Sequence, residues 1–138
     1  MYPKIQKVGV IVFSCDRAMQ LEACLRSLYQ CARSSFEFSV YVLFKVNSTV
    51  DREQYEELKT EYSSVEFVEE VDFKSDLLRL IKLHDFSIYV VDDSLFIRPF
   101  MIDTAIEKLQ SRAGLIGFSL RLGLNTTYCY PFQSDQSL

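Results

Sequence analysis

VGVIVFSCDR, residues Val8 to Arg17, is the stretch from which the fold follows. Val8 to Phe13 is a continuous apolar, β-branched run with no polar alternation, the signature of a strand covered on both faces. Such a strand is central and parallel. It ends in the polar set Ser14-Cys15-Asp16-Arg17, and Asp16 is suited to cap a following helix. Leu21, Cys24, Leu25, Leu28 and Ala32 then recur at helical spacing with Gln20, Glu22, Arg26 and Gln30 between them, which predicts an amphipathic helix over 17–33.

The alternation of strand and helix continues outward from this unit. Phe38 to Val46 (FSVYVLFKV) is β-branched and aromatic, and Asn47-Ser48 breaks it. Asp51 with Gln54 three residues on is a capping-box pattern, and Tyr55, Leu58 and Tyr62 give a second helix one apolar face. Val65 to Val71 reads as a short strand. Leu77, Leu78, Leu80, Ile81 and Leu83 mark a third helix, with Lys74 and Asp76 at its start. Phe86 to Val91 (FSIYVV) is a fourth strand, ended by Asp92-Asp93-Ser94; Pro99 falls in the first turn of a fourth helix over 100–111. Gly114 to Gly123 (GLIGFSLRLG) reads as a fifth strand, with Arg121 on its polar side. The resulting β-α-β-α-β-α-β-α-β order predicts right-handed crossovers and a Rossmann-like, three-layer α/β/α domain with a mostly parallel central sheet.

Composition bounds the function classes. A length of 138 residues with 49% hydrophobic and 25% charged residues fits one globular domain and excludes disordered and low-complexity classes. The net charge of −4 provides no global basic field, so no nucleic-acid partner is expected. Nine acids lie between Asp51 and Asp72 against Arg52 and Lys59, an acidic helix face that leaves the rest of the chain weakly basic and suited to a small anionic ligand such as a nucleotide. Cys15, Cys24, Cys31 and Cys129 form no CxxC pair, which suggests buried free thiols in a reducing, cytoplasmic setting. No run approaches the roughly 18 apolar residues of a membrane span.

In open parallel sheets ligands gather at the carboxyl ends of the strands. The residues there are Ser14, Asp16 and Arg17, Asn47, Asp92 with Asp93, and Arg121. Neither GxGxxG nor GxxxxGK[ST] occurs, which excludes the usual dinucleotide and P-loop sites. A receiver domain would carry its acid pair after the first strand, whereas here the pair follows the fourth. Two adjacent carboxylates after a buried strand need a cation or hydrogen bonds to neutralise them. Hard divalent ions take oxygen ligands and one or two carboxylates together with substrate phosphates. Asp92-Asp93 suits such an ion brought in with a diphosphate; capping the following turn is the alternative role. Arg121, on a mostly apolar strand, needs an anionic partner, either these acids or a diphosphate. His84, the only histidine, stands near a helix end as a cap or surface residue, so no Ser-His-Asp arrangement is expected.

Three segments in this order, VGVIVFSCDR (8–17), YVVDDSLFIRP (89–99) and GFSLRLGLNTTYCYP (117–131), together resemble the nucleotide-binding half of GT-A glycosyltransferases, in particular the family 2-like group. The resemblance implies a nucleotide-diphosphate sugar, UDP- or GDP-linked, as ligand. It implies that Ser14, Asp16 and Arg17 in the first loop contact base and diphosphate, and that Asn47 and Lys74 lie near base and phosphate. It further implies that Asp92 faces the ribose or metal and that Asp93 holds Mn2+ or Mg2+. Two departures stand out. Ser94 occupies the place of the last acid in the family's DxD motif, and Val46-Asn47-Ser48-Thr49 stands where many relatives carry Asp-Gly-Ser. A turn role for Asn47 and a solvated helix terminus at Lys74 are the alternatives.

A full transferase of this kind is considerably longer, with acceptor-binding elements after the fifth strand, and only Leu124 to Leu138 remains here. The expectation is a single donor-binding domain over 1–138 that lacks the acceptor half and is inactive or incomplete by itself, with no catalytic base assigned. Tyr128, Tyr130 and Phe132 would cover a core edge, meet a missing C-terminal segment or partner, or stack on a sugar. The alternative is a non-catalytic binding or interaction module derived from the same fold.

Overall fold

The computed structural model describes residues 7–120, 127–129 and 131–135. The chain divides into two compact units, Met1–Asp103 and Thr104–Leu138. Strand β1 spans Val8–Cys15 and helix α1 Ala18–Cys31, followed by β2 (Ala32–Arg33), β3 (Phe38–Lys45), α2 (Thr49–Glu61), β4 (Glu66–Glu69), α3 (Phe73–Ile81), β5 (Phe86–Val91), β6 (Phe100–Met101) and α4 (Ile102–Gln110). A short antiparallel pair, β7 (Tyr128–Cys129) with β8 (Ser134–Asp135), lies in the second unit.

The apolar run becomes the centre of a four-stranded sheet in the order β4-β3-β1-β5, every pair parallel. Val8, Val10, Ile11 and Val12 are all buried, as a strand covered on both faces requires. On one face α3 sets Leu80 against Ile11, Tyr41 and Leu43. On the other, Tyr55 of α2 stacks on Phe44 of β3 with ring centroids 4.7 Å apart, and Cys24 of α1 donates to the Val91 carbonyl. The Rossmann-like three-layer α/β architecture is thus present. From β1 the chain moves outward through β3 to β4, then returns to place β5 on the other side of β1. The topological switch point therefore lies between β1 and β5.

Gly9 and His84 are tied together. A Cβ at Gly9 would meet the His84 ring at 2.6–2.8 Å, so the glycine makes room for the imidazole. The ring bonds the Leu80 carbonyl through Nδ1 and meets Tyr41 edge-on. His84 is thereby a packing residue over the sheet.

Several local expectations are corrected. Helix α2 is capped by Ser48, whose Oγ accepts the Asp51 N–H at 3.1 Å, and not by Asp51. The longer helix brings Asp51 into the first turn, where its charge suits the dipole. Helix α1 ends at Cys31 because Ala32–Arg33 pairs in parallel with Phe100–Met101, and that pairing also delays α4 to Ile102, leaving Pro99 outside the helix. The predicted fifth strand does not form over 114–120, where Ile116 is 97% exposed; residues 121–123 lie outside the described set. Alternating apolar residues make a strand only when another strand supplies the ladder, and none pairs with this segment among the described residues.

Candidate functional site at the carboxyl edge of the sheet

Parallel register assembles the site. Val10 is level with Ile88 and Val12 with Val90, so the next pair on the same face is Ser14 with Asp92. The Asp92 N–H donates to the Phe13 carbonyl at 3.1 Å, carrying the ladder one residue past β5. Ser14 Oγ donates to Asp92 Oδ2 at 2.9 Å. On the other side Phe44 is level with Ser14, and the Tyr55 ring stacked on Phe44 brings its hydroxyl to 2.5 Å from Ser14 Oγ. Ser14, Tyr55 and Asp92 are all buried.

A buried carboxylate is costly unless it is paired and hydrogen-bonded. Besides Ser14, Asp92 has Arg17: Nη1 lies 3.6 Å from Asp92 Oδ1 and 3.9 Å from Asp93 Oδ2. The Arg17 and Asp93 side chains are 53% and 59% exposed, so their mutual attraction is screened and contributes at most about 1 kcal/mol. What matters is the composition of the cluster, one cation and two carboxylates at the switch point. Burial, then the charges of Asp92 and Asp93, push the Cys24 thiol up to about 12, so Cys24 is a neutral packing group at physiological pH.

The turn carrying the acids is anchored on both sides. The Ser94 N–H donates to the Val91 carbonyl at 3.0 Å. Further on, the Phe96 N–H donates to Ser27 Oγ at 3.1 Å, Cys31 donates to the Phe96 carbonyl, and the Phe96 ring stacks on Phe100. Asp93 therefore projects from a segment pinned to α1.

Asp16 does not cap α1. Its backbone is left-handed at φ 53°, a conformation Asp tolerates, and its carboxylate turns toward the end of β3. There it accepts the Asn47 N–H at 2.8 Å and the Asn47 side-chain amide. The Asn47 side-chain bond, then its backbone bond, hold the Asp16 carboxyl below its usual range. Arg17 occupies the N-cap position with no side-chain cap; its N–H donates to the Tyr55 hydroxyl at 3.3 Å.

Of the residues singled out in the sequence, Ser14, Arg17, Asp92 and Asp93 come together. Asp16 and Asn47 form a neighbouring pair across the ends of β1 and β3. Lys74 is exposed in the first turn of α3. Arg121 lies outside the described residues. Tyr55 is the residue that sequence reading counted only as apolar; the available signal was that a buried tyrosine needs a partner for its hydroxyl.

The donor set suits a hard cation. Asp93 is open to solvent, Asp92 Oδ1 faces away from Ser14, and carboxylate oxygens match Mg2+ or Mn2+. Among the described residues no group of three or more His, Cys, Asp or Glu gathers, so further ligands would come from phosphate and water. The open groove along α2, lined by Thr49, Arg52, Glu53, Glu56, Glu57 and Thr60, carries three glutamates against one arginine and repels phosphate.

The chain is 28% identical over 137 residues to the bifunctional glycosyltransferase pgtA of Dictyostelium discoideum, a match that covers 93% of this chain and 18% of that protein. The chain thus spans under a fifth of the length of this relative. No family model matches it. The similarity supports a glycosyltransferase-like domain. No helix among the described residues is long and apolar enough to cross a membrane.

Proposed function

We propose that this chain is the donor-binding half of a GT-A-type, family 2-like glycosyltransferase, taking a UDP- or GDP-linked sugar across the carboxyl ends of β1 and β5. The observation that carries the reading is the Arg17–Asp92–Asp93 cluster at the topological switch point, where open α/β sheets bind ligands. Distant similarity to a glycosyltransferase supports it independently.

In this reading Asp92, held by Ser14, directs its other oxygen to a ribose hydroxyl or a metal. Arg17 is the cation for the diphosphate, with Lys74 and Arg121 as further phosphate contacts. Asp16 and Asn47 form the wall against the base. Asp93 and Asp92 Oδ1 would hold Mn2+ or Mg2+, which when bound offsets charge on the leaving diphosphate. The residues assigned here bind and orient the donor and favour charge developing on its leaving group, so they act by position and electrostatics. The free thiols of Cys24 and Cys31 accord with a reducing, cytoplasmic setting.

Calorimetric titration with UDP and GDP, with and without Mn2+, tests the proposal on wild type and Asp93→Ala. Manganese-dependent binding of one nucleotide, abolished in Asp93→Ala, is expected; wild-type protein that binds neither overturns it. A non-catalytic module is the second reading, favoured by Ser94 in the place of an acid and by an Asp92 already engaged by Ser14 and Arg17. It predicts no binding of either nucleotide.

A further inference from the structure

We infer that Tyr55 is a positioning residue for the site, the middle link of a one-way hydrogen-bond chain that fixes both Asp92 and the Arg17 backbone. The inference rests on the donor-site reading and adds to it a residue of α2 that has no direct part in holding the ligand.

The direction of the chain follows from counting protons. Ser14 has one hydroxyl proton, and a carboxylate can only accept, so that proton lies on the 2.9 Å bond to Asp92 Oδ2. Ser14 Oγ must then accept from Tyr55, across 2.5 Å. The Tyr55 oxygen in turn accepts the Arg17 N–H at 3.3 Å. Arg17 N–H, Tyr55 OH and Ser14 OH thus donate in one direction toward the Asp92 carboxylate, and the Arg17 guanidinium closes the ring at Asp92 Oδ1, 3.6 Å away.

Each link has a structural cause. The Arg17 N–H lies at the start of α1, where amides lack partners within the helix, and no side chain caps it, so the Tyr55 hydroxyl serves in place of a cap. Tyr55 is fully buried and held by its stack on Phe44, so the oxygen has one place to be. Charge on Asp92 polarises the chain, because hydrogen bonds in a buried series strengthen one another. The ring therefore keeps Asp92 Oδ1 and the Arg17 guanidinium facing each other before any ligand arrives. Pre-set groups lose less on binding than groups that must first be ordered.

The test is a cycle of Tyr55→Phe and Asp92→Asn, with Ser14→Ala as a second route to breaking the chain. Tyr55→Phe retains the ring stack and removes only the hydroxyl. In the wild-type background it is expected to weaken UDP or GDP binding about tenfold, with a similar loss in Ser14→Ala. In the Asp92→Asn background, Tyr55→Phe is expected to have little further effect, because the carboxylate that the chain serves is gone. A purely structural Tyr55 would lower the melting temperature in both backgrounds alike and leave affinity unchanged, and that result overturns the inference. A ligand-free reading separates it from the donor proposal. Hydrogen exchange of the Arg17 amide should be about tenfold faster in Tyr55→Phe than in wild type. If wild-type protein binds neither nucleotide but the Arg17 amide is released by Tyr55→Phe, the donor reading fails and the chain stands. An Arg17 amide indifferent to Tyr55→Phe refutes the chain whatever binds.

Discussion

Asp92 is a buried carboxylate whose two oxygens are divided between a hydroxyl and a guanidinium. Asp92→Ala leaves the Ser14 hydroxyl without its acceptor and Arg17 without its nearer anion. A loss of about 1–3 kcal/mol is expected from the urea midpoint, the range for stranding a buried polar group. Asp92→Asn, which keeps an acceptor oxygen, should lose less. Asp16 gives the pH dependence. Its folded pKa is depressed by Asn47, so its contribution is present above the unfolded value of about 3.9 and is lost as pH falls through the folded value. Asn47→Ala should therefore shrink the drop in melting temperature between pH 6 and pH 3, and an unchanged drop would contradict the pairing. Ser14, Arg17, Asp92 and Asp93 were legible because a residue at the carboxyl end of a parallel strand has a known address. Asp16 was misread as a cap because its partner is 31 positions away, beyond any local pattern. Tyr55 is buried on the apolar face of α2 as its spacing predicts, but the part played by its hydroxyl is not legible, because periodicity registers only the ring.

At the scale of elements, the strands that read clearly were those that pair in the parallel sheet. β5 forms as predicted over Phe86–Val91, while the equally apolar 114–120 segment stays irregular for want of a ladder. Two elements are testable directly. Gly9→Ala drives a methyl into the His84 ring and should destabilise by about 1–3 kcal/mol, as overpacking does, and His84→Ala in the same chain should recover part of the loss. Thermal melts of the two single variants and the double variant decide this; a Gly9→Ala protein as stable as wild type would mean the ring is free to move away. Ser48→Ala should lower stability by about 1 kcal/mol through loss of the α2 cap, whereas Asp51, read from the sequence as the cap, has no such role. Helix ends were the least legible parts, since neighbouring capping residues compete and only packing selects between them.

For the whole molecule, the consequential feature is the order β4-β3-β1-β5, which sets the polar ends of the first and last of the main strands side by side. The sequence shows that such ends exist and that the architecture is parallel α/β. It does not show which strands are neighbours, because adjacency is set by pairing between distant segments. With β1 between β3 and β5, register sets Ser14 beside both Phe44 and Asp92, and the start of α1 and the packing of α2 on Phe44 bring Arg17 and Tyr55 to them. The proposed binding of a nucleotide diphosphate at this edge is open to amide chemical-shift mapping with UDP and GDP in the presence of Mg2+. Shifts concentrated at residues 14–17 and 92–94 are predicted; shifts confined to the α2 groove around Arg52 and Glu56, or none with either nucleotide, would contradict it.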